Sequence, residues 1–190
     1  ANGTSGDVNN INFRMPRPGM KPYEQMRYVA EDVAAKVHAQ LAGLTYQRSV
    51  KVAAAYREPT IAWRKPTDEQ QAWAEKTLQE RPEVPGKVDL SRIYAQRTLA
   101  LLDNPDTTTI PLQVFAIGAA RIGTMPCEVF TEIGLEYRQR AKATPAWMVS
   151  LNHGYFGYLP TPRQHDLGGY GTWLGTNRLE RDASVKLLDS

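Results

Sequence analysis

Apolar positions change their period several times along the chain, and each change marks an element. Met26, Val29, Ala30, Val33, Val37 and Leu41 recur at helical spacing. They predict an amphipathic helix from Tyr23 to Ala42, stopped by Gly43. Gln47 to Tyr56 alternates instead, with Val50, Val52, Ala54 and Tyr56 opposite Ser49, Lys51 and Ala53. That is the pattern of a half-buried strand, with Thr60 to Arg64 as its continuation past Pro59. Thr67-Asp-Glu-Gln70 is a capping box that opens a helix to Gln79. Ser91 is read as the cap of another helix to Leu102, closed by the turn Asp103-Asn104-Pro105-Asp106. Ile110 to Ile122 is the most apolar stretch, long enough for a buried strand pair or one bent strand. Phe130, Ile133, Tyr137 and Ala141 form one stripe of a helix predicted over Glu128 to Ala141. Trp147 to Leu151 reads as a buried strand, and Leu179 to Leu188 as a short closing helix.

The stretch from Ile117 to Tyr158 organises the rest. One apolar run ends at Pro126-Cys127-Glu128, and a second, Trp147 to Leu151, ends at Asn152-His153-Gly154-Tyr155-Phe156-Gly157-Tyr158. Both turns follow the ends of predicted buried strands, the edge at which α/β layouts bind ligands. Residues 152 to 176 are rich in Gly, Pro and aromatics and lack a clear period. A loop of that length is functional or disordered, and Tyr155, Tyr158, Tyr170 and Trp173 argue for order. The expected fold is α/β, with a buried mixed sheet flanked by helices and residues 1–190 in one domain. The chain opens inside a turn, Asn2-Gly3-Thr4-Ser5-Gly6-Asp7. This leads us to expect that the true start of the domain is missing, with a processed or trimmed chain as the alternative.

Composition narrows the function. Hydrophobic residues make up 42% of the chain, enough for a packed core. The 23 basic residues are scattered among 20 acidic ones, too even a mixture for a nucleic-acid surface. A lone cysteine, Cys127, rules out an internal disulfide. No apolar run approaches the roughly 18 residues of a transmembrane helix.

Candidate chemistry is sparse. The chain has no His-x-x-x-His, no cysteine pair and no Gly-x-Ser-x-Gly elbow. The histidines, His38, His153 and His165, stand apart in sequence. Glu128 falls at the first turn of a predicted helix, where the macrodipole favours a carboxylate in any case. The sharper reading makes Glu128 and Tyr158 two oxygen donors at one strand edge.

Three motifs, in order, resemble those of the neutral (non-lysosomal) ceramidase family and its bacterial ceramidase-like branch. Met125-Pro126-Cys127-Glu128-Val-Phe-Thr131 is similar to its Pro-Gly-Glu-Phe-Thr segment. Leu151-Asn152-His-Gly-Tyr155-Phe-Gly-Tyr158-Leu-Pro-Thr161 is similar to its Asn-x-Tyr-x-x-Tyr-x-x-Thr segment. Gly6-Asp7-Val8-Asn9-Asn10 is similar to its Gly-Asp-Val-Ser-Pro-Asn loop. The resemblance implies a zinc-dependent amide hydrolase acting on a lipid or other acyl-amide, secreted or periplasmic. It implies Glu128 and Tyr158 as metal ligands, Tyr170 as oxyanion donor and Tyr155 as a substrate contact. It also implies two histidine ligands from a segment before the Gly-Asp-Val loop, so the chain would be the second half of a larger catalytic domain and carry half a metal site. Asn9 takes the place of the family's loop serine, and an amide cannot do a hydroxyl's proton chemistry. Asp7 has two readings, a carboxylate that orients a histidine ligand and a turn cap. The competing class is a ceramidase-like module without catalysis that binds through the aromatic loop 153–173.

Overall fold

The computed structural model describes residues 2–16 and 19–190. They divide into two compact units, one of residues 8–51 and one of 1–7 with 52–190.

The smaller unit holds helix α1, Glu24–Leu41, within a residue of each predicted end. Its apolar stripe stays uncovered: Met26, Val33, Val37 and Leu41 are all exposed, and the helix has no buried residue.

The larger unit is built on a four-stranded mixed sheet flanked by helices. Strands β1 (Val52–Arg57), β4 (Leu112–Ile117), β5 (Ala120–Met125) and β7 (Ala146–Ser150) lie in the order β1-β4-β5-β7. The predicted strand pair after Ile110 is the β4–β5 hairpin, turned at Gly118 with φ 56°. β7 then runs parallel to β5, with Met125 opposite Ser150. The connection between them carries helix α4, Thr131–Arg140. Parallel strands need such a crossover, because a tight turn cannot reverse the chain twice.

Several elements differ from the sequence reading. β1 starts at Val52, not Gln47, because its first partner is Ile117 at the end of β4. Nor is it half-buried: all six of its residues are exposed at the sheet's edge. Thr60–Ala62 does not continue β1. It is a separate strand, β2, that pairs with β3, Thr107–Thr109. Helix α2, Asp68–Glu80, has the complete capping box. Helix α3, Leu90–Ala100, is capped by Asp89 and not by Ser91. The Asp89 carboxylate accepts the amides of Ser91 and Arg92 at 3.0 and 3.3 Å. Lys65 donates to carbonyls of Leu101, Leu102 and Asn104, neutralising the far end of that helix.

The most consequential difference concerns Glu128. The predicted helix start at Glu128 is a strand, β6 (Glu128–Val129), paired in parallel with β8 (Tyr158–Leu159). The helix begins three residues later. Its first amide, on Thr131, donates to the Asp7 carboxylate at 2.8 Å, as does the Thr131 hydroxyl. Asp7 is therefore a cap supplied from far away in the chain. The core lies beneath β6 and β8, where Ile61, Ile110, Cys127, Val129, Ile133, Leu159 and Leu179 are almost fully buried. The aromatic loop holds helix α5 (Pro162–Leu167) and a 3₁₀ turn, Tyr170–Thr172, and the chain ends in α6, Ala183–Asp189.

Removing this cap tests the boundary. Asp7→Ala is expected to lower stability by about 1 kcal/mol, read from urea unfolding, while Asp7→Asn retains most of it.

Candidate functional site

The site is set by the alternation of two very short strands. Glu128 lies opposite Tyr158, and Val129 opposite Leu159. Paired residues share a face of a sheet, and neighbours along a strand point to opposite faces. Val129 and Leu159 are buried at 0% and 1% exposure. Their burial sends Glu128 and Tyr158 together to the other face. Backbone bonds lock this register: the Glu128 amide donates to Gly157 at 3.0 Å and the Phe130 amide to Leu159 at 3.1 Å. Gly157 has φ 83° and lies hard against the Thr176 carbonyl, so a side chain fits neither its conformation nor its space.

Three more tyrosine contacts complete the cluster. The Tyr155 hydroxyl donates to Glu128 Oε1 at 2.9 Å. Tyr170 meets Tyr158 edge-on, ring centres 5.6 Å apart, and Phe130 meets it edge-on from elsewhere at 6.4 Å. Gly171 approaches the Phe130 ring so closely that an added Cβ would sit 2.5 Å from it. That closeness lets the 3₁₀ turn bring Tyr170 over Tyr158. The structure thus brings Glu128, Tyr155, Tyr158 and Tyr170 into one patch.

Electrostatics follow from this packing. Burial, then contact with the Glu128 carboxylate, pushes the Tyr158 phenol well above its usual range, and nearby Tyr170 and Tyr155 add to the shift. Tyr155 is raised for the same leading reasons, and Arg178, 5.1 Å above its ring, partly offsets this. Tyr170 is raised chiefly by contact with the Tyr94 phenol and is opposed by Arg97. Burial pushes the Cys127 thiol up to about 12, so it is a packing residue beneath the site.

The remaining sequence candidates have these surroundings. Asn9 belongs to the smaller unit, where its side-chain oxygen accepts the Asn10 amide at 2.8 Å. His38 is in the last turn of α1. His153 Nε2 is 2.7 Å from Gln113 Oε1. His165 is on α5 with its Nε2 buried and without a partner, and burial lowers its pKa. Among the described residues, no group of three or more His, Cys, Asp or Glu could hold a metal.

Sequence reading missed two residues that hold the site. Asn177 is fully buried, donates to the Tyr158 carbonyl at 3.0 Å and accepts from Arg64 at 3.1 Å. Arg178 lies against Tyr155. Both stand in Gly175-Thr-Asn-Arg178, where nothing in the local pattern announces a tertiary role.

The mixed α/β fold has a likeness among solved structures. The chain superposes on the crystal structure of neutral ceramidase from Pseudomonas aeruginosa with a TM-score of 0.54 and 15% identity. The match covers 90% of this chain and 33% of the ceramidase, so the chain spans about a third of that protein's length. No protein-family model matches the chain, and no curated protein matches it in sequence.

The tyrosine–carboxylate contact predicts an alkaline titration. A raised phenol pKa leaves any stabilisation intact at neutral pH and loses it as pH rises past the unfolded value of about 10. Tyr158 and Tyr155 therefore ionise above the usual tyrosine range, followed by absorbance at 295 nm. Glu128→Gln removes the charge that resists their ionisation and moves this late phase to lower pH. An unmoved late phase would place Glu128 away from both rings.

Proposed function

We propose that this chain supplies part of the catalytic centre of an amide hydrolase similar to neutral ceramidase, cleaving the C–N bond of a lipid or other acyl-amide. The observation that carries the reading is the register of Glu128 on Tyr158, with Tyr155 and Tyr170 beside them. The fold likeness to the Pseudomonas aeruginosa enzyme supports it.

A carboxylate and a phenol on one face suit a small, hard or borderline cation, and both are known donors to zinc or its neighbours. Glu128 and Tyr158 would hold such an ion as the oxygen half of a site, and imidazoles from outside this cluster would have to complete it. Zinc bound there supplies a Lewis acid and a water whose pKa lies near 7. The chain's own residues do the rest. Tyr155 holds one oxygen of Glu128 by its 2.9 Å bond and so fixes the carboxylate's orientation. Tyr170 is a phenol, protonated at neutral pH. It can therefore donate a hydrogen bond to the oxyanion that develops on the amide carbonyl. Asn9 lacks a hydroxyl, so any part it plays is limited to hydrogen bonding, which points to a substrate other than ceramide.

A second reading has its own support. The rings of Tyr158, Tyr170, Trp173 and Tyr94 form a continuous edge-on series. Such a surface can bind a ligand without chemistry.

Zinc stoichiometry and amide hydrolysis, measured on the natural protein, separate the two. The hydrolase reading expects about one zinc and a loss of at least about 100-fold in activity for Glu128→Ala. Tyr170→Phe is expected to lower kcat by about 10- to 100-fold while zinc content is retained. A folded, metal-free and inactive natural protein would leave the binding module standing.

A further inference from the structure

A cleft of about 600 Å³ opens beside the tyrosine cluster, between helices α2 and α3 and the segment after the 3₁₀ turn. Trp73, Leu90, Tyr94, Trp173 and Leu174 line it, together with Arg64 and four uncharged polar residues. Trp73 and Trp173 are each about half exposed, at 47% and 49%. Trp173 stands edge-on to Tyr94 at 5.2 Å and to Tyr170 at 5.7 Å, and Tyr170 meets Tyr158. The cleft is thus joined to the Glu128–Tyr158 patch by an unbroken row of rings.

Arg64 is the one charged residue among those that line the cleft. Its Nη1 donates to the Thr172 carbonyl at 2.6 Å and to Asn177 Oδ1 at 3.1 Å. Both acceptors are neutral. Some arginines pair with carboxylates, as in Arg181–Asp166 and Arg163–Glu132, whereas Arg64, like the partly buried Arg121 and Arg178, is in none of the ion pairs among the described residues. Burial alone lowers its pKa, with no carboxylate acting to raise it. A half-buried guanidinium usually has a counter-charge, because losing water costs several kcal/mol that neutral acceptors only partly offset. Two neutral contacts also leave most of its five N–H donors for another partner. A structural role accounts for Nη1, which ties the 3₁₀ turn to β2's end, but not for the missing anion.

We infer that this cleft binds an apolar group that bears a carboxylate, with the ring or chain between Trp73 and Trp173 and the carboxylate on Arg64. Resting on the proposed hydrolase function, this assigns the substrate class: an amide whose apolar arm ends in a carboxylate, as in an N-acylated or N-aroylated amino acid. Arg64 then supplies the planar fork that neutral lipid amides leave idle. Asn177, which touches both Arg64 and the Tyr158 carbonyl, couples occupancy of the cleft to the position of Tyr158.

Phenylacetate and 2-phenylethanol, matched in size and differing in charge, test this by quenching of tryptophan fluorescence at constant ionic strength. Phenylacetate is expected to bind at least about tenfold more tightly. Arg64→Gln removes the preference and leaves 2-phenylethanol binding within about twofold. Trp73→Ala, which touches none of Arg64's contacts, weakens both probes. Two wild-type readouts serve even where Arg64→Gln fails to fold. One is the preference itself. The other is the imidazole titration of His165, which Arg64 and Arg181 depress and Asp166 and Asp182 raise. Phenylacetate on Arg64 shifts that titration upward, and 2-phenylethanol does not. Equal affinity for the two probes, or no phenylacetate binding, overturns the assignment. Neither probe is an amide, so the two proposals fail separately. A phenylacetate preference in a protein that cleaves no amide upholds the cleft and removes the hydrolase. Equal binding in an active zinc hydrolase removes only the carboxylate.

Discussion

Two residues of parallel sheet carry the account. β6 and β8 are each only two residues long, too short to be stable by their own hydrogen bonds. What fixes them is the burial of Val129 and Leu159 in the core. Each side chain of that kind gains about 1.5–3 kcal/mol on full burial. A slip of one residue would put Glu128 and Tyr158 into the core in their place, with a charge and a phenol to desolvate. The register therefore has one favourable setting, and that setting presents both oxygens to the same side. The position of the site is a consequence of core packing, and the tyrosines around it are additions to a geometry already decided.

The same logic places the patch at the ends of the parallel pair. β5 leads through Pro126 and Cys127 into β6, and β7 leads through the turn after Ser150 to β8. Loops that leave the carboxyl ends of parallel strands emerge on one edge. Backbone bonds from Leu151 to Cys127 and from Phe156 to Pro126, at 3.1 and 2.8 Å, tie the two departing chains together before they form their own ladder. The 3₁₀ turn, Asn177 and Arg64 then close over this edge and link it to the aromatic cleft. One carboxylate, three phenols and the Arg64 guanidinium are thereby held along one row of rings.

Much of this was legible in the sequence. The mixed α/β class, α1, the capping box of α2, the β4–β5 pair and the strand at Trp147 all follow from periodicity. Glu128 and Tyr158 stand out by their positions after two apolar runs. What failed shares one cause, namely that the deciding partner is distant. The stripe of Phe130, Ile133, Tyr137 and Ala141 predicts a helix but does not mark its first residue. The true start depends on Asp7, more than a hundred residues earlier in the chain. Two-residue strands are too short to show alternation. β1 begins where β4 gives it a partner, not where the alternation begins. Asp89 and Ser91 both have capping side chains, and only the backbone geometry selects the first. Arg64 and Asn177 matter through each other and through Thr172, and no local pattern encodes such a triangle.

The central claim is that the Glu128 carboxylate and the Tyr158 phenol lie in one small space on one face. A double-mutant cycle on stability, with Glu128→Gln, Tyr158→Phe and the pair, measures that proximity without metal or substrate. Side chains in contact give a coupling of about 0.5–3 kcal/mol, of either sign, as the account predicts. Additive effects, within about 0.3 kcal/mol, would mean that the two groups do not meet, and would contradict it.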